Sequence, residues 1–200
     1  SAYNRTYSII PGDSDQPFLV VKVLWSSQSR RLLGAQLVAE SSAADKLTAL
    51  AVAIQSRITI DELARYDLPG DALRPGRRHW LAQIGQRAQN QLDHLVREFS
   101  IYDLNSLDTS RVMLFDVRPQ DAFVRGTIPG AINWPLADLI EAMAAGNRER
   151  LADKPVYIFS DTGRQGYLAA RALLLAGHSD VYNLAGGWWL YSKAIGNPSA

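Results

Sequence analysis

Residues Ser160-Asp161-Thr162-Gly163-Arg164-Gln165-Gly166 gather two hydroxyls, a carboxylate, a guanidinium, a carboxamide and two glycines into one short stretch. An apolar run, Pro155 to Phe159, precedes them, and residues Tyr167 to Ala176 follow with helical spacing. A strand, a tight glycine-bearing loop and a helix N-terminus together aim several backbone N–H groups at one point, which makes a cradle for an anion. A sulfur oxyanion, a phosphate or a carboxylate suits such a cradle. The plainer reading of Ser160 is a turn or helix-capping residue at a strand end. Its hydroxyl becomes a nucleophile only beside a base, and no histidine lies near it in sequence.

Other candidates are weaker. Asp116 and Arg118 follow an apolar strand and read first as a structural ion pair, and only second as catalytic groups. Arg74, Arg77, Arg78 and Arg87, with His79 and Trp80, could dock a phosphate or a coenzyme A, but a solvated linker is the simpler account. Trp188 and Trp189 beside Gly186-Gly187 fit packing of a last helix on a sheet better than a substrate mouth. The chain has no cysteine, and His79, His94 and His178 are scattered, so disulfides, thiolate metal sites and thiol nucleophiles are excluded and no metal site is expected.

The elements that must hold these residues fall into two groups. Tyr3 to Ile10, Phe18 to Trp25 and Leu32 to Ala39 read as strands of an antiparallel meander, separated by Pro11-Gly12-Asp13-Ser14-Asp15 and Ser26-Ser27-Gln28-Ser29. Ser41 or Ser42 can cap a helix running to about Gln55, and Thr59-Ile60-Asp61-Glu62 has the form of a capping box. Residues 67–78, rich in Pro, Gly and Arg, read as a linker. Leu81, Ile84, Ala88, Leu92, Leu95 and Phe99 recur at steps of three or four, which predicts a long amphipathic connecting helix. Beyond Ile101, short apolar strands (Val112 to Val117, Ala131 to Asn133, Val156 to Phe159, Val181 to Leu184) alternate with helices (from Pro119, Leu136 to Ala145, Tyr167 to Ala176). That alternation predicts a parallel sheet covered on both faces, with its ligand site at the carboxyl ends of the strands.

Three separated blocks then carry a resemblance. They are Phe115-Asp116-Val117-Arg118 with Phe123, the run from Gly126 through Thr127, Ile128, Pro129 and Gly130 to Pro135, and Asn183-Leu184-Ala185-Gly186-Gly187-Trp188. In order and spacing they resemble the rhodanese homology domain. The resemblance implies that Ser160 to Gln165 is the family's active-site loop, Cys-x-x-Gly-x-Arg, whose cysteine accepts a sulfane sulfur as a persulfide. This chain departs from the pattern: Ser160 replaces the cysteine, Gln165 replaces the arginine with Arg164 one position early, and Thr127 stands where the family often has histidine. An alkoxyl cannot hold a stable persulfide. Ser160 reflects either natural loss of the nucleophile or a Cys-to-Ser replacement, and the displaced Arg164 favours the first.

Residues of the first part resemble the C-terminal dimerisation domain of pyridine nucleotide-disulfide oxidoreductases, in particular the coenzyme A-disulfide reductase branch that can carry a rhodanese domain. The residues behind this are Val21 to Trp25, Arg31 to Val38, Ala49 to Ile54, Ile58 to Ala64 and Ile84-Gly85. No Gly-x-Gly-x-x-Gly run occurs, and Asp67-Leu68-Pro69-Gly70 stands in place of the family's Tyr-x-Pro-Pro segment.

The expectation is an α+β reductase-dimerisation-like domain over 1–78, a connecting helix over 79–100 and an α/β rhodanese-like domain over 101–200. Its function is expected to be anion binding or regulation without sulfur transfer. The alternative is a sulfurtransferase acting on thiosulfate, persulfide or a coenzyme A persulfide, seen as a Cys-to-Ser variant or as the C-terminal part of a coenzyme A-disulfide reductase. The site set is Ser160 at the nucleophile position, Asp161, Thr162, Gly163, Arg164, Gln165 and Gly166 as anion loop, and Asp116 and Arg118 as secondary residues. No cofactor is expected in this chain; FAD, NAD(P)H and coenzyme A belong only to a longer reductase. A homodimer is implied by the resemblance, and the ligand by the loop: a small sulfur oxyanion, a persulfide or a coenzyme A-type molecule. The balance of 21 Lys plus Arg against 20 Asp plus Glu recruits neither nucleic acid nor a membrane. Without a signal-peptide pattern or a long apolar run, the expected compartment is the cytoplasm.

Overall fold

Alternation of buried Leu19, Val21, Val23 and Trp25 with half-buried neighbours gives one strand an apolar face, and Leu50, Ile60, Leu63, Leu81 and Ile84 join it in one buried cluster. In the computed structural model, residues 3–10, 19–39, 43–68, 78–104, 106–149, 151 and 153–195 are described. The chain divides between His94 and Leu95 into two units.

In the first unit, β1 (Tyr3–Ile10), β2 (Leu19–Ser26) and β3 (Leu32–Ala39) form the expected antiparallel sheet in the order β1-β2-β3. The turn after β2 closes with the Arg30 amide donating to the Ser26 carbonyl at 2.9 Å. The Pro11–Asp15 connection, Ser41, Ser42 and residues 69–77 of the linker, with Arg74 and Arg77, lie outside the described residues. Helix α1 (Ala44–Gln55) has Ala43 at its N-cap and no side-chain cap bond. Helix α2 (Ile60–Arg65) carries the capping box read from sequence: the Thr59 hydroxyl accepts from the Glu62 amide at 3.2 Å, and the Thr59 amide donates to the Glu62 carboxylate at 2.8 Å.

Helix α3 (Trp80–Leu92) is shorter than the periodicity predicts and belongs to the first unit. It packs so closely on α2 that a Cβ on Gly85 would overlap the Ala64 backbone. A buried relay also ties it to the sheet: Trp25 Nε1 donates to Thr6 Oγ1 at 2.9 Å, and that hydroxyl donates to Gln91 Oε1 at 2.8 Å. The helix stops where His94 takes φ +52°, a left-handed conformation that breaks the hydrogen-bond ladder. Beyond it, Arg97–Phe99 pairs in parallel with Tyr182, Asn183 and Leu184 as strand β4. Phe99, placed by its spacing on the helical stripe, is therefore buried in the second unit's core.

The second unit is a five-stranded, wholly parallel sheet in the order β4-β8-β7-β5-β6, with β5 Met113–Asp116, β6 Ile132–Asn133, β7 Val156–Phe159 and β8 Val181–Leu184. Helices α4 (Ile101–Leu104), α5 (Gln120–Arg125), α6 (Leu136–Ala144), α7 (Arg164–Leu175) and α8 (Gly187–Ile195) accompany these strands. Val156, Ile158 and Val181 pack with Ala169, Ala170 and Leu173 of α7 on one face; Phe159, Leu184 and Tyr191 form the core of the other. From β5 the chain steps outward to β6 and then back past β5 to β7, so the strand order reverses between β5 and β7. Asp116 and Ser160 both lie at the carboxyl ends of these strands, the end at which open α/β sheets place their ligand sites.

Among the described residues, no helix is long and apolar enough to cross a membrane.

Candidate active-site loop

Ser160 follows β7 directly and is 1% exposed. Its Oγ accepts hydrogen bonds from the Gly163 amide at 3.2 Å and the Gly166 amide at 3.0 Å, so the loop closes around the side-chain atom of position 160. Gly163 makes this possible by taking φ +88° at the N-cap of α7, a conformation that glycine adopts at little cost. Arg164 and Gln165 stand in the first turn of α7 with exposed side chains, and helix α7 therefore begins two residues ahead of Gly166. The amides of Asp161, Thr162, Arg164 and Gln165 find no acceptor among the described residues.

The back of the loop is fixed by the start of α8. The Trp188 amide donates to the Ser160 carbonyl at 2.8 Å, and the Trp189 amide to the Asp161 carbonyl at 2.9 Å. A Cβ on Gly187 would collide with the Ser160 carbonyl, so this docking requires glycine. The Gly186-Gly187-Trp188 block thus holds the loop by its backbone.

Beside the loop, Asp116 is fully buried and Arg118 is 2% exposed. Arg118 Nε and Nη2 donate to Asp116 Oδ1 and Oδ2 at 2.9 and 2.6 Å, and Nη2 also donates to the Gly126 carbonyl at 2.7 Å. Thr127 Oγ1 donates to Asp116 Oδ2 at 2.9 Å, filling the position where the resemblance leads one to expect histidine. The guanidinium lies over the Trp188 ring, 4.7 Å from its centroid, and its Nη1 is 3.8 Å from Asp161 Oδ1. The pair ties the end of β5 to the segment that follows it, next to the loop. Partial burial raises the Asp161 carboxyl above its ordinary pKa, and the neighbouring Arg118 charge opposes that rise.

Among the described residues, no histidine, lysine or carboxylate side chain is hydrogen-bonded to Ser160 Oγ. The hydroxyl has amide donors but no base, an arrangement that stabilises negative charge at this point without activating a serine. Arg78 donates to the Ala64 carbonyl and His79 caps α3, both in the first unit, while His178 Nε2 is 3.2 Å from the Lys154 carbonyl at the opposite end of the sheet. No group of three or more potential metal ligands occurs among the described residues. Sequence reasoning missed Asn183 as a site residue. Its Nδ2 donates to the Gly163 carbonyl at 3.0 Å, and the available signal was a polar residue at a core position of strand β8.

A family model for the rhodanese-like domain matches residues 103–194. The human thiosulfate:glutathione sulfurtransferase is 32% identical over 108 residues, covering 48% of this chain and 94% of that protein. The chain belongs to the rhodanese-like family. Two solved structures match both units of this rhodanese-like chain. The NAD-dependent persulfide reductase from A. fulgidus superposes with a TM-score of 0.77 at 25% identity, over 94% of this chain and 34% of that one. The reduced CoADR-RHD from Bacillus anthracis superposes with a TM-score of 0.79 at 24% identity, over 97% of this chain and 34% of that one, and at that identity shares the fold alone. The rhodanese-like chain thus spans about a third of the length of each.

Proposed function

We propose that the rhodanese-like unit recognises a small anion at the Ser160 loop without transferring sulfur in the present sequence, and that the first unit serves as its dimerisation domain. The observation that carries this reading is the Ser160 hydroxyl seated between the Gly163 and Gly166 amides. The cradle is intact while the atom that would carry sulfur is an oxygen. An oxygen cannot store sulfane sulfur as a persulfide, and no base makes it a nucleophile. The loop amides that have no protein acceptor supply the donors to bind thiosulfate, sulfite, a persulfide anion or the anionic end of a coenzyme A-type molecule.

A second reading is favoured by the extent of the reductase matches, 94% and 97% of the chain. In it, the chain is the C-terminal part of a longer disulfide or persulfide reductase whose native loop carries cysteine at position 160. Thiosulfate-to-cyanide sulfur transfer, measured on this chain beside Ser160→Cys, separates the two, together with calorimetric titration of sulfite and thiosulfate. The first reading expects anion binding by the parent and no turnover by either protein. Turnover by Ser160→Cys supports the second reading, and absence of anion binding to the parent overturns the first.

A further inference from the structure

Among the described residues, Asn183 Oδ1 is the single buried side-chain polar atom without a hydrogen-bond partner. Asn183 is 3% exposed and lies on the face of β8 that also carries Val181, a layer otherwise filled by Val156, Ile158, Ala169, Ala170 and Leu173. An amide in such a layer is costly unless its position requires it. Its two ends indicate what that requirement is. Nδ2 donates to the carbonyl of Gly163 at 3.0 Å, and Oδ1 faces Gly166 so closely that a Cβ there would overlap it. Gly163 and Gly166 are the residues whose amides converge on Ser160 Oγ.

We infer that Asn183 is the positioning residue of the loop: one rigid carboxamide, held by strand β8, locates both glycines whose amides meet at position 160. The donor end pins Gly163 in its left-handed conformation from behind, while its amide points forward. The acceptor end sets how near the first turn of α7 approaches the sheet, and Gly166 lacks a side chain because the carboxamide occupies that space. The unpartnered oxygen then acts as a spacer, consistent with its facing a Cα instead of an N–H. The strand thereby sets the electrostatic strength of the cradle. The inference rests on the reading of this loop as an anion or sulfur site.

The chain has no cysteine, so Ser160→Cys introduces a single thiol whose ionisation is read directly, with no substrate, from the pH dependence of its alkylation by iodoacetamide. Two converging amides at a helix N-terminus place that thiol's pKa below the ordinary value of about 8.5. In the Ser160→Cys background, Asn183→Leu keeps the volume and removes the polar ends, and Gly166→Ala keeps the carboxamide and displaces it. Each is expected to raise the thiol pKa by about one unit, a tenfold change in ionisation. Adding Asn183→Ser to Gly166→Ala makes room for the methyl group and keeps a donor, and is expected to recover at least half of that shift. Thiol pKa values within about 0.2 units of Ser160→Cys for both Asn183→Leu and Gly166→Ala overturn the inference. If Asn183→Leu loses the circular dichroism of the folded parent, Gly166→Ala and its pair with Asn183→Ser decide alone: a shift with recovery supports the inference, and no shift, or a shift without recovery, overturns it. Failure of the parent to bind sulfite or thiosulfate would remove the anion reading and leave the thiol measurement unaffected.

Discussion

Replacing Arg118 by methionine isolates what the buried ion pair contributes. Methionine keeps much of the aliphatic length beneath Trp188 and removes the charge. In the parent, the guanidinium gives Asp116 three hydrogen bonds, of 2.9, 3.2 and 2.6 Å, and the Gly126 carbonyl one of 2.7 Å. After the substitution, Asp116 keeps the Thr127 hydroxyl at 2.9 Å and the residue-118 amide at 3.0 Å. A carboxylate left in a dry site without its counter-charge is costly: breaking a buried pair from one side costs about 3–5 kcal/mol in general, and a loss of that size is expected here. Because a two-unit chain need not unfold in one step, the assay is native-state hydrogen exchange of the Leu114, Phe115 and Ile158 amides, which reports the opening free energy of the second unit's own sheet. A loss below about 1 kcal/mol, the range of an exposed pair, would refute the reasoning. Removing both charges, with Asp116→Leu and Arg118→Met together, is expected to recover most of the loss, because the orphaned charge causes the damage.

Two further outcomes are expected. Gly85→Ala places a methyl group against the Ala64 backbone and lowers the first unit's stability by about 1–3 kcal/mol, the usual cost of overpacking; an unchanged urea midpoint would mean that α2 and α3 do not approach as closely as described. Asp161→Asn tests the raised carboxyl: an acid whose pKa is higher in the folded state contributes fully below its unfolded value, about 3.9, and that contribution is lost as the pH rises through the folded value. The asparagine variant should therefore melt above the parent at pH 7 and level with it near pH 3.5; a lower melting temperature at pH 7 would show that attraction to Arg118 outweighs burial.

Much of this molecule was legible in local sequence. Val156–Phe159 and Val181–Leu184 are the strands that their apolar runs predict, and the Thr59–Glu62 capping box forms, because periodicity and capping act within a few residues of chain. The loop between β7 and α7 was legible as well, since a glycine that adopts a positive φ ahead of a helix marks itself. The end of α3 was not. Leu95 and Phe99 fit a helical stripe and a short strand equally, and the choice fell to backbone bonds with β8, more than 80 residues away in the chain. Asn183 was hidden for the same reason. In sequence it is one polar residue in an apolar strand, and only the placement of β8 beside β7 brings it under Gly163, 20 residues earlier, and turns it toward Gly166. The amino-acid sequence by itself determined which residue types can hold an anion and that no thiol is among them. Tertiary structure alone decided which side chains aim the amides, because that depends on strand order, and strand order is settled by the burial and hydrogen bonding of the whole sheet.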